Sequence, residues 1–168
     1  MERKVIQSKK HPNFGALLNR RPQAMAVLEG SDAYPELTGR LRFWQTVYGA
    51  LVVAEMMGLP QMENSCAGSI FGMHIHDGTE CDGKEGKGAF SRAGGHYNPD
   101  DCPHPYHAGD LPPVFSSNGY AFSMFLTDRF TVNEVVGKTV ILHGSPDDFT
   151  TQPAGNAGVR IACGRILR

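Results

Sequence analysis

The sequence has little of several features that would assign a chain to a simple class. No apolar run approaches the roughly 20 residues that a membrane-spanning helix needs. No C-x-x-C pair occurs among the four cysteines, so a zinc finger or a thioredoxin-like fold is a weak interpretation. No internal repeat or low-complexity segment is found. These absences favour one folded domain without a membrane span.

Charge is balanced overall but unevenly distributed along the chain. The totals are 16 basic and 17 acidic residues, and residues 1–23 hold six of the basic and one of the acidic, which leaves 10 and 16 for 24–168. An acidic body argues against nucleic-acid binding, which requires a basic face. We therefore predict a flexible basic arm over 1–23 and a single domain over 24–168. The arm has no apolar central stretch, so it does not resemble a secretory signal, and this favours the cytoplasm.

Glycine and proline are frequent, with 20 and 11 residues, and stretches with helical periodicity are scarce. In 39–46, Leu41 and Phe43 face one side and two arginines the other, as in a half-buried antiparallel strand. A short helix is an alternative to a strand for 50–57. The composition and patterning indicate an all-β sandwich or barrel. The predicted strands are 24–28, 39–46, 50–57, 69–76, 120–126, 139–143 and 160–166.

Residues 77–113 form a long segment of glycine, proline, aspartate and histidine with almost no apolar periodicity. A loop of this length in a compact domain is functional or disordered. Its histidines favour function, with bound metal supplying order that an apolar core does not.

Six of the seven histidines fall in four short segments, most of which end in or adjoin Gly, Pro or Asp. Imidazole is the commonest metal ligand at neutral pH. With one nearby carboxylate, these residues are too many for one tetrahedral site and suffice for two adjacent sites that share a ligand. They are His74, His76, His96, His104, His107 and His143, with Asp110 closing the third segment.

The spacing of these residues distinguishes two kinds of site. His74 and His76 lie two apart on a predicted strand, so both face one side, although a lone H-x-H is more often two surface histidines. The run H-x₇-H-x₂-H-x₂-D over 96–110 is more specific, since three imidazoles and a carboxylate suit a closed tetrahedral zinc site. His143, at a later strand end, permits a second, all-imidazole site, and such a site suits copper(II).

The sequence resembles the copper/zinc superoxide dismutases of bacterial type. The resemblance extends from residue 24 to the end of the chain and implies a Greek-key antiparallel β-sandwich or barrel of about eight strands with long metal-binding loops. Five motifs in family order carry it: GMHIH (72–76), AGGHYNP (93–99), HAGDLP (107–112), LHGSPDD (142–148) and GNAGVRIACG (155–164).

The resemblance implies a copper site and a zinc site joined by His96, which would bridge the two ions. It assigns copper to His74, His76, His96 and His143, and zinc to His96, His104, His107 and Asp110. Asp147 matches a carboxylate that accepts hydrogen bonds from one copper histidine and one zinc histidine, here His74 and His104. From its local sequence alone, Asp147 is an ordinary turn aspartate.

The resemblance also implies a substrate-binding arginine and a disulfide. Arg160 would hold the superoxide anion beside copper by charge and hydrogen bonds. Four cysteines allow three pairings, and the family pattern selects Cys81–Cys163. For Cys66 and Cys102, a second bridge and two free thiols both remain open. A disulfide fits an oxidising extracytoplasmic space, so the compartment stays open as well.

Two loops depart from the family pattern. His104 and His107 are only three apart, and the segment FTTQPA (149–154) is short and uncharged where relatives carry charges that guide superoxide. Lys84 and Lys87, in the loop after Cys81, are candidates for this steering, although simple solvated charges are an equal alternative.

The implied activity is dismutation of superoxide to dioxygen and hydrogen peroxide by a redox-cycling copper bridged through His96 to a structural zinc. His96 and Arg160 are then the catalytic residues. The alternative is a copper- or zinc-binding storage or delivery protein on the same fold with little turnover. Arg160 argues against it, since metal storage has no use for an anion-binding arginine. The resemblance makes a homodimer an open expectation.

Overall fold

A computed structural model describes residues 12–61, 69–83 and 88–168. The described chain is nearly all β, with antiparallel pairing throughout and two short helices, α1 (Phe14–Leu18) and α2 (Val132–Val135). The nine strands in these ranges are β1 (Ala24–Gly30), β2 (Thr38–Thr46), β3 (Gly49–Met57), β4 (Ile70–Phe71), β5 (Met73–His76), β6 (Val114–Ser117), β7 (Tyr120–Thr127), β8 (Thr139–His143) and β9 (Arg160–Leu167).

The strands follow one another in the order β4-β6-β7-β3-β2-β1-β9-β8-β5. The first and last strands of this order, β4 and β5, are separated in sequence only by Gly72, so the sheet nearly closes into a barrel. The predicted all-β, Greek-key barrel is confirmed.

The strand count differs from the predicted number for two reasons. The predicted strand 69–76 divides at Gly72, because β4 pairs with β6 on one side of the closure and β5 pairs with β8 on the other. Strand β6 was not predicted, because it is four residues long and follows two prolines at the end of the polar loop.

The core fills the barrel interior by strand alternation. Leu41 and Phe43 of β2 are fully buried, as their spacing predicts. Segment 50–57 is a strand, because β3 pairs along its length with both β2 and β7. In β3, Leu51 and Val53 point outward and are nevertheless buried.

Helix α1 covers that outer patch. Phe14 and Leu17 pack against a cluster of Trp44, Leu51 and Val53. The indole Nε1 of Trp44 donates a hydrogen bond to the Arg20 carbonyl oxygen at 3.0 Å. The described part of the segment predicted as an arm, 12–23, thus lies against the sheet, while 1–11 fall outside the described residues.

Within the described ranges, no helix is both long and apolar enough to cross a membrane.

Candidate metal centre

The polar loop is held along the free edge of β5, which carries two of the histidines. Isolated bridges pair His74 with Asp110 and His76 with His96. Between them, the Ile75 amide donates to the Gly109 carbonyl at 2.8 Å. Main-chain pairing therefore fixes loop residues directly opposite the H-x-H strand.

Two groups of ligand atoms result, and they share His96. Within each group, one nitrogen or oxygen from every residue lies within 4.8 Å of the others. The four-histidine group comprises His74, His76, His96 and His143, and the aspartate-containing group comprises His96, His104, His107 and Asp110. The sequence-predicted sets are thus each brought together.

In the four-histidine group, the hydrogen bonds of the rings leave the inner nitrogens free. His76 Nδ1 donates to the Gly94 carbonyl at 3.0 Å, and His143 Nδ1 donates to the Gly158 carbonyl at 3.3 Å. Their Nε2 atoms face each other at 3.4 Å. Nδ1 of His74 and Nε2 of His96 are buried without a hydrogen-bond partner among the described residues.

In the aspartate-containing group, three Nδ1 atoms surround the Asp110 carboxylate. Their distances to its oxygens are 2.7 Å for His96, 3.0 Å for His104 and 3.3 Å for His107. Nδ1 of His107 lies 3.4 Å from Nδ1 of His96. Donors at about 2.0 to 2.1 Å from a tetrahedral zinc are separated by roughly 3.3 Å, so this cluster has the size and donor set of a zinc site.

Asp147 bonds to one histidine of each group, on the ring edge opposite the ligand nitrogen. Its buried carboxylate accepts from His74 Nε2 at 2.7 Å and from His104 Nε2 at 2.9 Å. Both rings therefore present Nδ1 to the metal side. Gly155 makes this approach feasible, because its φ is +64° and a Cβ there would overlap the Asp147 carboxylate.

The electrostatics favour neutral imidazoles. Burial lowers the pKa of His74 to about 2 and that of His143 to about 4, and the neighbouring His96 adds to both shifts. Burial also lowers the pKa of His76. For Asp110, burial opposes ionisation, but the hydrogen bond from His96 lowers the pKa. These shifts favour neutral imidazoles at His74, His76 and His143 and an ionised carboxylate at Asp110, the protonation states that bind metal cations.

Arg160 is fixed beside the four-histidine group. Its guanidinium donates to the Phe90 carbonyl at 2.6 Å and to the Gly94 carbonyl at 2.5 Å. Gly94 is also the acceptor for His76. The charge of Arg160 also lowers the pKa of His76 and of His143, after burial and the neighbouring His96.

A disulfide joins Cys81 to Cys163, which are 82 positions apart in sequence. It packs with Phe90, Ala93 and Ile141, so it ties the loop that supplies the acceptors of Arg160 to strand β9.

Three other sequence-predicted residues lie outside the described ranges. These are Cys66, Lys84 and Lys87. Cys102, for which the sequence leaves a bridge to Cys66 open, is half-buried and forms no disulfide with another described residue.

Comparison with known proteins agrees with this geometry. The family model for copper/zinc superoxide dismutase matches residues 37–166. This chain belongs to the copper/zinc superoxide dismutase family. The family implies copper and zinc as cofactors, and the two groups have suitable donor sets.

Three bacterial relatives named copper–zinc superoxide dismutase illustrate the similarity. The Legionella pneumophila protein is 33% identical over 140 residues, 79% of this chain and 79% of the relative. The Photobacterium leiognathi protein is 32% identical over 141 residues, 76% of this chain and 78% of the relative. The Deinococcus radiodurans protein is 33% identical over 150 residues, 79% of each.

Sequence reasoning missed the residues that hold the loop backbone. Arg129 and Gln152 both bond to main-chain groups around the aspartate-containing group. No local motif marks them, because a side chain that binds carbonyls needs no particular neighbours in sequence. Only the fold reveals their role.

Proposed function

We propose that this protein dismutates two superoxide anions and two protons to dioxygen and hydrogen peroxide. The observation that carries this function is the juxtaposition of two metal-binding groups, joined by one imidazole, with a fixed arginine beside the all-histidine group. The chain belongs to the same family as proteins named copper–zinc superoxide dismutase, and this supports the same activity.

We assign copper to the four-histidine group and zinc to the aspartate-containing group. Four imidazoles suit copper(II), and three imidazoles with a carboxylate suit zinc. His96 would contribute Nε2 to copper and Nδ1 to zinc, since these atoms face the respective groups. When bound, copper would supply one-electron redox chemistry and zinc a fixed positive charge.

The protein's own groups would perform the remaining tasks. Arg160 would bind the superoxide anion through guanidinium N–H groups, because a guanidinium stays protonated in proteins even where burial lowers its pKa, as it does here. His96 would hold or release a proton at Nε2, because its Nδ1 is held on the zinc side. Asp147 would keep His74 in the tautomer that presents Nδ1.

The test is superoxide consumption by protein reconstituted with both metals, compared with Arg160→Met. The matched control is Arg92→Met, which removes the same charge from an exposed arginine that pairs with Glu80 and lies in the segment between the two carbonyls that accept from Arg160. We expect Arg160→Met to be at least about tenfold slower, the lower end of electrostatic effects on association, and Arg92→Met to be nearly unchanged. Stoichiometric metal without consumption in the wild type would instead favour storage or delivery, which no feature of the site favours at present.

We also propose that Lys84 and Lys87 attract superoxide. Changing both to Ser should lower the rate and flatten its dependence on ionic strength, because steering between exposed charges is screened by salt. An unchanged salt profile would remove them from consideration.

We propose that the protein is a homodimer formed through the outer face of β7. Tyr120, Phe122, Met124 and Leu126 point outward there and are 41–56% exposed, whereas the solvated face of an antiparallel sheet is normally polar. Phe115 and Met57 extend the patch. Taking about 200 Å² per large side chain, the patch exposes roughly 600 Å², close to the 800 Å² that each partner buries in a stable interface.

Sedimentation analysis would test this interface. Phe122→Glu with Met124→Glu should convert a dimer to a monomer while leaving the melting temperature of the barrel little changed, since both side chains point outward. A wild-type monomer, or a dimer that survives both changes, would refute it.

We further propose that residues 24–168 are the catalytic domain and 1–23 an extension of it. We expect no nucleic-acid binding, and this remains a prediction.

A further inference from the structure

The loop that carries the aspartate-containing group has its ligands closely spaced. His104 and His107 are three residues apart, and Asp110 follows after three more. The side chains of His104, His107 and Asp110 serve the metal-binding cluster. Within the stretch, the Asp110 amide donates to the His107 carbonyl at 3.2 Å, and several of its carbonyl groups also have partners from outside the loop.

Arg129 supplies those partners from the end of β7. Its Nη1 donates to three carbonyl oxygens of the loop, at 2.9 Å to Pro105, 3.3 Å to His107 and 3.2 Å to Asp110. One guanidinium nitrogen therefore fixes the backbone of both His107 and Asp110 relative to the barrel.

Gln152 acts in the same way on the other side. Its Oε1 accepts from the His104 amide at 3.0 Å, and its Nε2 donates to the His104 carbonyl at 2.7 Å. Both main-chain groups of His104 are thus paired by one side chain. Gln152 lies in the short uncharged segment 149–154, so this segment contacts the metal loop directly.

We propose that Arg129 and Gln152 are positioning residues that hold His104, His107 and Asp110 in the geometry required for zinc. Arg129 fixes two of these ligands and Gln152 the third. The inference rests on the proposed function only in that the aspartate-containing group binds zinc, and it is independent of turnover.

An electrostatic role and a positioning role of Arg129 predict opposite changes in zinc affinity when Arg129 is replaced. A guanidinium near a dication repels it, so a purely electrostatic role would make zinc bind more tightly when Arg129 is neutralised. A positioning role makes zinc bind more weakly, because the ligands lose their fixed arrangement. The sign of the change in zinc affinity therefore separates the two explanations.

The experiment measures zinc affinity by competition with a chromophoric chelator, on the full chain, for the wild type, Arg129→Met and Gln152→Met. Residues that orient metal ligands contribute about 10- to 100-fold in affinity, and we expect a loss of about tenfold for each variant. Arg168→Met is the control, since this exposed arginine bonds only to Asn133 among the described contacts.

Two readouts distinguish positioning from general destabilisation. Arg129→Lys should restore part of the affinity, because an ammonium group retains donors for the same carbonyls. Cobalt(II) in the aspartate-containing group should show weaker visible bands in the Met variants, since loosened ligands depart from tetrahedral geometry. If Arg129→Met fails to fold, Gln152→Met and Arg129→Lys decide the matter.

Wild-type protein that does not bind zinc would defeat the proposed function itself. Wild-type protein that binds zinc, with both Met variants within twofold of it and with unchanged cobalt spectra, would overturn this inference alone. Tighter zinc binding by Arg129→Met would overturn the inference and support a purely electrostatic role for Arg129.

Discussion

Replacing Asp147 by asparagine should weaken the proposed zinc site selectively. The Asp147 carboxylate accepts three hydrogen bonds, from His74 Nε2 at 2.7 Å on Oδ2, and from His104 Nε2 at 2.9 Å and the Phe149 amide at 2.7 Å on Oδ1. Asparagine of the same shape offers an oxygen at one of these positions and an NH₂ group at the other. One of the two histidines must therefore point its Nε2–H donor at the NH₂ group, which is also a donor.

The copper site and the zinc site require opposite orientations of the introduced amide, because each needs the amide oxygen to face its own histidine. Copper(II) leads the affinity series for imidazole ligands, so in copper-loaded protein His74 should keep its Nε2 proton and take the oxygen. The NH₂ group then faces both His104 Nε2 and the Phe149 amide. Of these two donors only His104 can relieve the conflict, by moving its proton to Nδ1. That atom lies 3.0 Å from Asp110 Oδ2 and is the one proposed to bind zinc.

The expected loss is about 10- to 100-fold in zinc affinity, or about 1 to 3 kcal/mol. The assay is zinc titration of copper-loaded protein, with Asp148→Asn as the control, because this adjacent carboxylate caps Thr150 and Thr151 instead. Unchanged zinc affinity would refute the reasoning. Loss of copper with zinc retained would show that the Phe149 amide, which is always a donor, decides the orientation.

Three further predictions concern the fold. Cys81→Ser with Cys163→Ala should lower the free energy of unfolding by about 4 kcal/mol, because the bridge closes a loop of 82 residues; a loss below about 1 kcal/mol in urea denaturation would contradict the chain-entropy estimate. Metal-free protein should lose stability as the pH falls from 6.5 toward 4, since burial lowers the pKa of His143 from 6.5 to about 4 and only the unfolded chain takes up the proton in this window. This residue alone accounts for a loss of about 3 kcal/mol in the free energy of unfolding. His143→Gln should therefore reduce the difference in unfolding free energy between pH 7 and pH 4.5, measured by urea denaturation. The same pH dependence as in the wild type would contradict this prediction. Deleting residues 1–23 should shift the emission of Trp44, the single tryptophan and 2% exposed, to longer wavelength, and an unshifted spectrum would mean that α1 does not cover this ring in solution.

Much of the site follows from the sequence because its ligands lie in local patterns. His74 and His76 are two apart on a strand, and the strand places them in one group as the spacing predicts. The cysteine pairing came from family resemblance, since four cysteines alone allow three arrangements.

The remaining features depend on contacts between distant segments. Asp147 acts through residues 73 and 43 positions away in sequence, and its local sequence predicts only a turn. Strand β6 is four residues long, and its pairing with β4 and β7 defines it more than its composition does. The division of 69–76 at Gly72 likewise reflects barrel closure, which no local pattern encodes.

The attachment of the polar loop to β5 has a consequence for aggregation. Strand β5 ends the strand order, and an uncovered terminal strand offers unpaired amides and carbonyls to a second chain. Here the Ile75 amide and carbonyl are occupied by Gly109 and Tyr97 of the loop. The segment that carries the histidines thus also shields this strand from intermolecular pairing. Variants that release the loop should therefore lose bound metal and form β-rich assemblies at the same time, because release of the loop both removes metal ligands and uncovers the edge of β5.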